Sequence, residues 1–446
     1  MRRLIFSALR VVGALDHWLR ERLTLAGWLV LGTGVAAAAA GLDTNLTVTY
    51  RAFTFLAALI TLSWAASLLF RARVDARREM PRYATAGEPF SYRVTLSNLG
   101  AGPLYGALLH ERFRDPRPSF DEWRRAVEPG EERRNWFDRK VGYFRWRWLI
   151  ERRVPRDAES ALISPLAPGE RLTLRLGFTP RRRGRIEFSG LTLGRPDPLG
   201  LVKGLARVTL GGRVIALPKR YRLPEIALPG RRRFQPGGIS LAASVSDSEE
   251  FLALRDYRPG DPLQRVHWKS YARTGKPVVK EYQDEFFERH ALVLDTGSSR
   301  GEDAAFEDAV ALAASFVYTI DTQDCLLDLL FVGGATYPED PSLRAYSAGR
   351  GQLRAEHMLE ALAGVGSSEP AAFSGLSRAV LARRATLSSV IAIFVAWDEE
   401  RAKFVAALRA EGYEVRALLV AEKSDPVPGV LHLVPGKIEQ GLAGLR

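Results

Sequence analysis

The hydrophobic rhythm of the chain changes three times, and each change predicts a different kind of structure. Residues Leu25 to Leu42, LAGWLVLGTGVAAAAAGL, carry no charge until the following Asp43, and their length approaches what a bilayer core requires. A second uncharged run, AFTFLAALITLSWAASLLF, covers Ala52 to Phe70, with LDTNLTVTYR joining the two. The pair predicts a transmembrane helical hairpin, with Trp28 and Tyr50 suited to the two interfaces. Before the first run, LIFSALRVVGALDHWLRERL alternates apolar and basic positions at near-helical spacing. That is the pattern of a helix lying on a membrane surface.

Beyond residue 75 the period drops to two. PFSYRVTLSNLG, ERLTLRLGFTP and GRIEFSGLTLG alternate apolar and polar residues, and AGEP, APGE and PDPLG punctuate them as turns. This predicts an antiparallel β-sandwich-like domain over 75–218. An insertion at 114–160 interrupts it, where Trp123, Trp136, Phe137, Tyr143, Phe144, Trp146 and Trp148 lie among arginines. Three readings stand: a membrane-interface surface, a base-stacking surface, or aromatics packed inside an added hairpin. Residues 219–285 read as a loop-rich linker followed by a dense motif. From 286 to 446 strands and helices alternate: HALVLDT, CLLDLLFV, SSVIAIFVAW and YEVRALLVA are the strands. Such alternation predicts a mostly parallel sheet covered on both faces, with its functional edge at the strand C-termini.

Charge sets the orientation and narrows the partners. Arg2, Arg3, Arg10, Arg20 and Arg22 precede the first apolar run, and Arg71, Arg73, Arg77 and Arg78 follow the second. The positive-inside rule therefore places both termini and the main domains in the cytoplasm. The net charge of +13 suits an anionic partner or reflects arginine-rich composition. Cys325 is the single cysteine of 446 residues, so no intramolecular disulfide forms. It sits in an apolar run and reads as a buried thiol.

Two features carry candidate chemistry. The first is a pair of aspartates, Asp295 and Asp398, at the ends of predicted neighbouring strands. The stretch from Asp295 to Ser299 resembles in part the metal-ion-dependent adhesion site of von Willebrand factor A-type domains. On that resemblance Asp295, Ser299, Ser374 and Asp398 would hold Mg²⁺, an ion that takes oxygen ligands. Gly297 stands where the family has its first serine. The alternative is two aspartates capping the helices that follow. Signatures for a phosphate-binding loop, a nucleophile elbow, a zinc-protease helix and a paired-cysteine site are all missing from the sequence.

The second is LRDYRPGDPLQRVHWKSYART, residues 254–274. Leu254, Arg255, Tyr257, Pro259, Gly260, Asp261, Arg265, Trp268, Lys269, Ala272 and Arg273 follow the motif of the domain of unknown function 58 family (DUF58), which this chain resembles. Val266 replaces isoleucine, and His267 stands where the family has Asp or Asn. PDPLGLVK upstream is also typical. The resemblance implies a bacterial plasma-membrane protein with a membrane hairpin, a β-domain and an A-type, Rossmann-like α/β domain. It implies an AAA+ ATPase of MoxR type as partner, and an adaptor rather than an enzyme. Residue by residue, the motif reads as a structural clasp in which Asp261 pairs with Arg255 and Arg265, as a docking surface, or as an anion site. A metal-dependent hydrolase and an anionic lipid- or nucleic-acid-binding protein are the alternative functions, nucleic acid being the least expected partner.

Overall fold

The computed structural model describes the chain outside residues 1, 41–46, 129, 225–249, 262, 284–288, 299–303, 321–325, 333–342, 348–351, 424 and 444–446. Cys325, Ser299 and the arginine run 231–233 lie outside the described residues. The chain divides into two compact units, Met1–Lys219 and Arg220–Arg446.

Unit 1 opens with three helices: α1 (Arg2–Arg22), α2 (Leu25–Ala40) and α3 (Thr47–Ser67). Within α3, the 20 residues Val48–Ser67 are long and apolar enough to cross a membrane. Among the described residues α2 covers 16, fewer than the roughly 20 of a typical span. Both present apolar side chains outward: Leu25 is 80% exposed and Val48 78% exposed. The second apolar run is shifted from its expected limits. Tyr50 and Arg51 lie inside α3 rather than in a connecting loop. Phe70, expected at the end of the span, instead packs into the core of the β-domain.

That domain is two sheets face to face. One has the order β1 (Val74–Glu79), β3 (Phe90–Asn98), β6 (Arg171–Phe178), all antiparallel. The other runs β2 (Tyr83–Thr85), β8 (Lys203–Leu217), β7 (Gly184–Pro196), β4 (Leu108–Phe113), β5 (Ser160–Leu162). Alternation does the sorting: Tyr92, Val94 and Leu96 of β3 are buried, and they meet Leu109, Leu191, Leu193 and Val214 of the facing sheet in one hydrophobic cluster.

The insertion is helical, not a hairpin. It holds α4 (Phe120–Arg125), α5 (Trp136–Val141) and α6 (Tyr143–Arg153). Its aromatics divide: Trp123 and Trp146 are buried around Phe6 of α1, while Trp136, Phe137 and Tyr143 are exposed. Helix α1, expected to lie on a membrane surface, thus buries one edge on protein. Phe6 sits 5.4 Å from the Phe120 ring, 5.6 Å from Trp123 and 5.2 Å from Trp146.

Unit 2 contains a hairpin of β9 (Glu250–Asp256) and β10 (Val278–Gln283), with α7 (Trp268–Thr274) in the excursion between them. Its larger sheet has the order β13 (Leu343–Ser347), β12 (Leu326–Val332), β11 (Arg289–Leu294), β14 (Ser389–Phe394), β15 (Glu414–Val420), β16 (Val430–Leu433). All neighbours are parallel except β12 and β13. Helix α8 (Ala304–Ile320) packs on one face, joined by α9 (Gln352–Gly364). Helices α10 (Phe373–Arg383) and α11 (Glu399–Ala410) build a core with the other. Residues 289–294 and 389–394 are nearly all buried, as expected for strands covered on both sides. The beginning of the linker belongs to this unit: the Tyr221 backbone N–H donates to Ser315 Oγ at 2.8 Å, and its hydroxyl to Asp308 Oδ1 at 2.7 Å.

Candidate functional site

In the larger sheet the chain leaves β11 for β12 on one side and comes back to β14 on the other. A crevice at the strand C-termini is expected where the winding reverses, and Asp295, one residue past β11, stands there. Its carboxylate is 1% exposed and fully engaged. The Gly297 N–H donates to Oδ1 at 2.9 Å, and Arg401 Nε donates to Oδ2 at 2.7 Å. Burial pushes the Asp295 carboxyl above its ordinary range, against the pull of Arg401 and of the Gly297 N–H.

Asp398 does not end a strand. It is the N-cap of α11, its side chain accepting from the Arg401 N–H at 3.0 Å, and so takes the capping role weighed for it. Its other oxygen pairs with Arg401 Nη1. Ser374 lies in α10, where its hydroxyl donates to the Ala371 carbonyl at 3.0 Å. Among the described residues no group of three or more His, Cys, Asp or Glu side chains is placed to hold a metal ion. What joins the two aspartates is Arg401, 1% exposed, with its guanidinium 4.7 Å from the Phe373 ring centroid.

Arg401 was absent from the sequence expectation, yet a signal for it exists. Arg401, Phe404, Val405 and Leu408 are the buried residues of α11. Their spacing of three, four and seven is one helical face. An arginine heading an otherwise apolar stripe announces a buried charge that needs acidic partners.

The motif of residues 254–274 forms a second constellation. In the hairpin, Val279 pairs with Arg255 and Lys280 with Leu254. The excursion is stitched down by the His267 N–H donating to the Val278 carbonyl at 2.9 Å, and by the Tyr257 N–H donating to Pro277 at 3.0 Å. Val266 and Val279, joined by an isolated antiparallel bridge, are both buried. Arg255 reaches across the turn and binds Asp261 with both Nη atoms, at 2.8 and 2.7 Å. The Arg258 N–H donates to the same carboxylate at 2.8 Å. These donors hold Asp261 down to about 2. Gly260 carries the turn at φ 109°, a conformation costly for any side chain.

In the clasp expected around Asp261, the ion-pair partner is Arg255. His267, where an acid was expected, occupies the N-cap position of α7 and shares a 2.7 Å hydrogen bond between Nδ1 and Ser270 Oγ. What the clasp leaves outside is apolar and basic. Leu254, Leu263, Trp268 and Tyr271 are exposed. The Trp268 and Tyr271 rings meet edge to face at 6.1 Å, and Arg258, Lys269 and Arg273 of the same motif are exposed. Ala272 lies on α7 between these groups.

Residues 253–437 match the family model described as "Protein of unknown function DUF58". That match supports the DUF58 family for this chain. It spans both constellations, from the clasp to the Arg401 triad. The chain is also 26% identical over 140 residues to the uncharacterized protein YeaD of Bacillus subtilis (strain 168). That alignment covers 31% of this chain and 33% of the relative, so the chain spans about a third of the curated relative it matches. Solved structures give only faint likenesses. The CARDB domain of PF1109 from Pyrococcus furiosus aligns with a TM-score of 0.18 and 12% identity, over 32% of this chain and 91% of that one. Red sea bream transglutaminase aligns with a TM-score of 0.17 and 15% identity, over 34% and 16%.

Proposed function

We propose that this DUF58-type chain is a membrane-anchored docking protein whose 254–274 motif presents a preformed surface to an acidic protein partner. One observation carries the reading: a segment locked by the Arg255–Asp261 pair exposes Leu263, Trp268 and Tyr271 together with three basic side chains. Aromatic residues and arginine are the side chains most enriched among binding hot spots. A patch fixed before binding also loses little side-chain entropy on docking. The family resemblance makes an AAA+ ATPase of MoxR type the partner to try first.

The anchor is α3 together with α2, whose exposed apolar side chains require a non-aqueous neighbour. The arginines on both flanks of the apolar runs favour two spans, with both units on the cytoplasmic side of a bacterial plasma membrane.

Full-length chain in detergent, with Trp268 and Tyr271 both changed to Ala, tests the docking surface. Capture of a purified MoxR-type ATPase should fall at least about tenfold, the loss of roughly 1.4 kcal/mol of binding, with the melting temperature unchanged. Equal capture by the double variant would remove the motif from the interface.

A further inference from the structure

The adhesion-type resemblance puts a divalent ion between Asp295 and Asp398, and the residues here do not fit one. Mg²⁺ needs several carboxylate, hydroxyl or water oxygens closing around it at about 2.0–2.1 Å. In this chain every one of those carboxylate oxygens already accepts a hydrogen bond. Both Asp295 oxygens accept from Gly297 and Arg401, and both Asp398 oxygens accept from Arg401. An ion at that place would have to expel a guanidinium that is 1% exposed.

We infer that Arg401 is the resident cation of the strand tops: its guanidinium occupies the position between Asp295 and Asp398 that a divalent ion would need, and the site works without metal. Three observations converge. The guanidinium bridges a buried aspartate and a half-exposed one, with Asp398 at 49% and Asp295 at 1% side-chain exposure. It is permanently charged and planar, so its fork suits two carboxylates at once.

The third observation explains a departure noted in the sequence. The Nη2 atom of Arg401 is buried without a hydrogen-bond partner among the described residues. A Cβ built on Gly297 would stand 3.0 Å from it and 3.1 Å from Pro370 Cα. Glycine at 297, where the resembled site has a serine, is what leaves room for the guanidinium. The missing hydroxyl ligand and the added arginine are two halves of one exchange. A bound ion can be chelated and can accept a partner's carboxylate as an extra ligand; an arginine held by its own aspartates does neither. Any docking at this edge of unit 2 is therefore independent of divalent ions.

The test uses the full-length chain in detergent, with thermal unfolding and calorimetric titration of Mg²⁺ and Mn²⁺. The wild type should give no binding heat and the same melting temperature in chelator as in millimolar Mg²⁺. Arg401→Met should melt several degrees lower, and Arg401→Lys should recover part of that loss, because it restores charge without the fork. Gly297→Ser should also melt below wild type, and should lose part of that penalty in the Arg401→Met background, where the contacts with Asp295 Oδ1 and Pro370 Cα remain. A wild-type chain that binds Mg²⁺ stoichiometrically, or that loses stability in chelator, overturns the inference. So does an Arg401→Lys chain melting no higher than Arg401→Met, since charge would then be irrelevant. Should Arg401→Met fail to fold, the wild-type titration and the Gly297→Ser comparison still decide.

Discussion

Gly27 of α2 lies so close to Leu201 that a Cβ built on the glycine would stand 2.1 Å from the Leu201 carbonyl oxygen. The turn between β7 and β8 meets the helical hairpin backbone to backbone. Thr24 reinforces the contact: its N–H donates to Leu201 O at 3.1 Å and its hydroxyl to Gly200 O at 2.5 Å. Asp197 shapes the turn from within, accepting from the N–H groups of Leu199, Leu201 and Val202 at 2.9, 2.8 and 2.8 Å. Burial pushes its carboxyl up, but those donors prevail and hold it below the ordinary range. Gly27→Ala should therefore destabilise unit 1 by about 1–3 kcal/mol, the usual cost of overpacking. Gly32 is the control, because nothing lies within 4 Å of a Cβ there, and Gly32→Ala should be close to neutral. Thermal unfolding in one detergent, followed by tryptophan fluorescence, compares the two. Equal melting of both variants would show that the turn and helix part easily.

The Arg255–Asp261 clasp should have a signature in acid. Asp261 is held down to about 2, from an ordinary 3.8, by Arg255 and the Arg258 N–H. A carboxylate with a depressed folded value stabilises above its unfolded value and loses that contribution as pH falls through the folded one. The stability difference between wild type and Asp261→Asn should be constant near neutral pH and shrink between about pH 3.8 and 2. Unfolding of both chains across that range measures it. A difference independent of pH, or no difference at pH 7, would refute the clasp.

Much of this architecture is legible in the sequence, because periodicity reports burial directly. Tyr92, Val94 and Leu96 alternate with outward positions in β3, and the uninterrupted SVIAIF of β14 is buried at every position. The motif was legible too, since a turn needing Gly260 and an acid flanked by arginines point to one local network. Long-range choices were not. Periodicity cannot say that α1 buries Phe6 on the insertion, nor that Phe70 leaves the apolar run for the sandwich core. The two aspartates are legible, but their shared partner is not: Arg401 follows Asp398 by 3 residues and lies 106 from Asp295, so no local pattern ties it to both. Only its place on the apolar face of α11 gave it away.

Phe6 offers a test of how α1 is held. Its ring is packed among Phe120, Trp123 and Trp146, and Trp123 Nε1 donates to the Gly142 carbonyl at 3.0 Å. Removing a buried phenylalanine side chain ordinarily costs about 3–5 kcal/mol. Phe6→Ala should lose an amount in that range and shift the emission of the two buried tryptophans. Leu4, 75% exposed on the same helix, should tolerate the same change. A Phe6→Ala chain with native stability and emission would show that the Phe6 cluster does not hold α1.

The sandwich core contains its own buried charges, and they make the sharpest double-mutant test. Arg78 pairs with Glu111, each with 3% side-chain exposure, and the Tyr92 hydroxyl donates to Glu111 at 2.5 Å. Arg78 also lies 4.6 Å over the Phe188 ring and donates to the Leu210 carbonyl at 3.2 Å. Burial pushes the Glu111 carboxyl up, while Arg78 and Tyr92 oppose it. Breaking such a pair from one side strands a charge in the core and costs about 3–5 kcal/mol. Glu111→Leu and Arg78→Met should each show a loss of that order. Arg78→Met with Glu111→Leu should lose much less than the sum, because apolar replacements of both partners remove the desolvation cost as well as the attraction. Chemical denaturation of the wild type, the two single variants and the double variant closes the cycle. Additive losses would mean that the two side chains act independently, and that their separate contacts with Tyr92, Phe188 and Leu210, rather than their pairing, stabilise the sandwich.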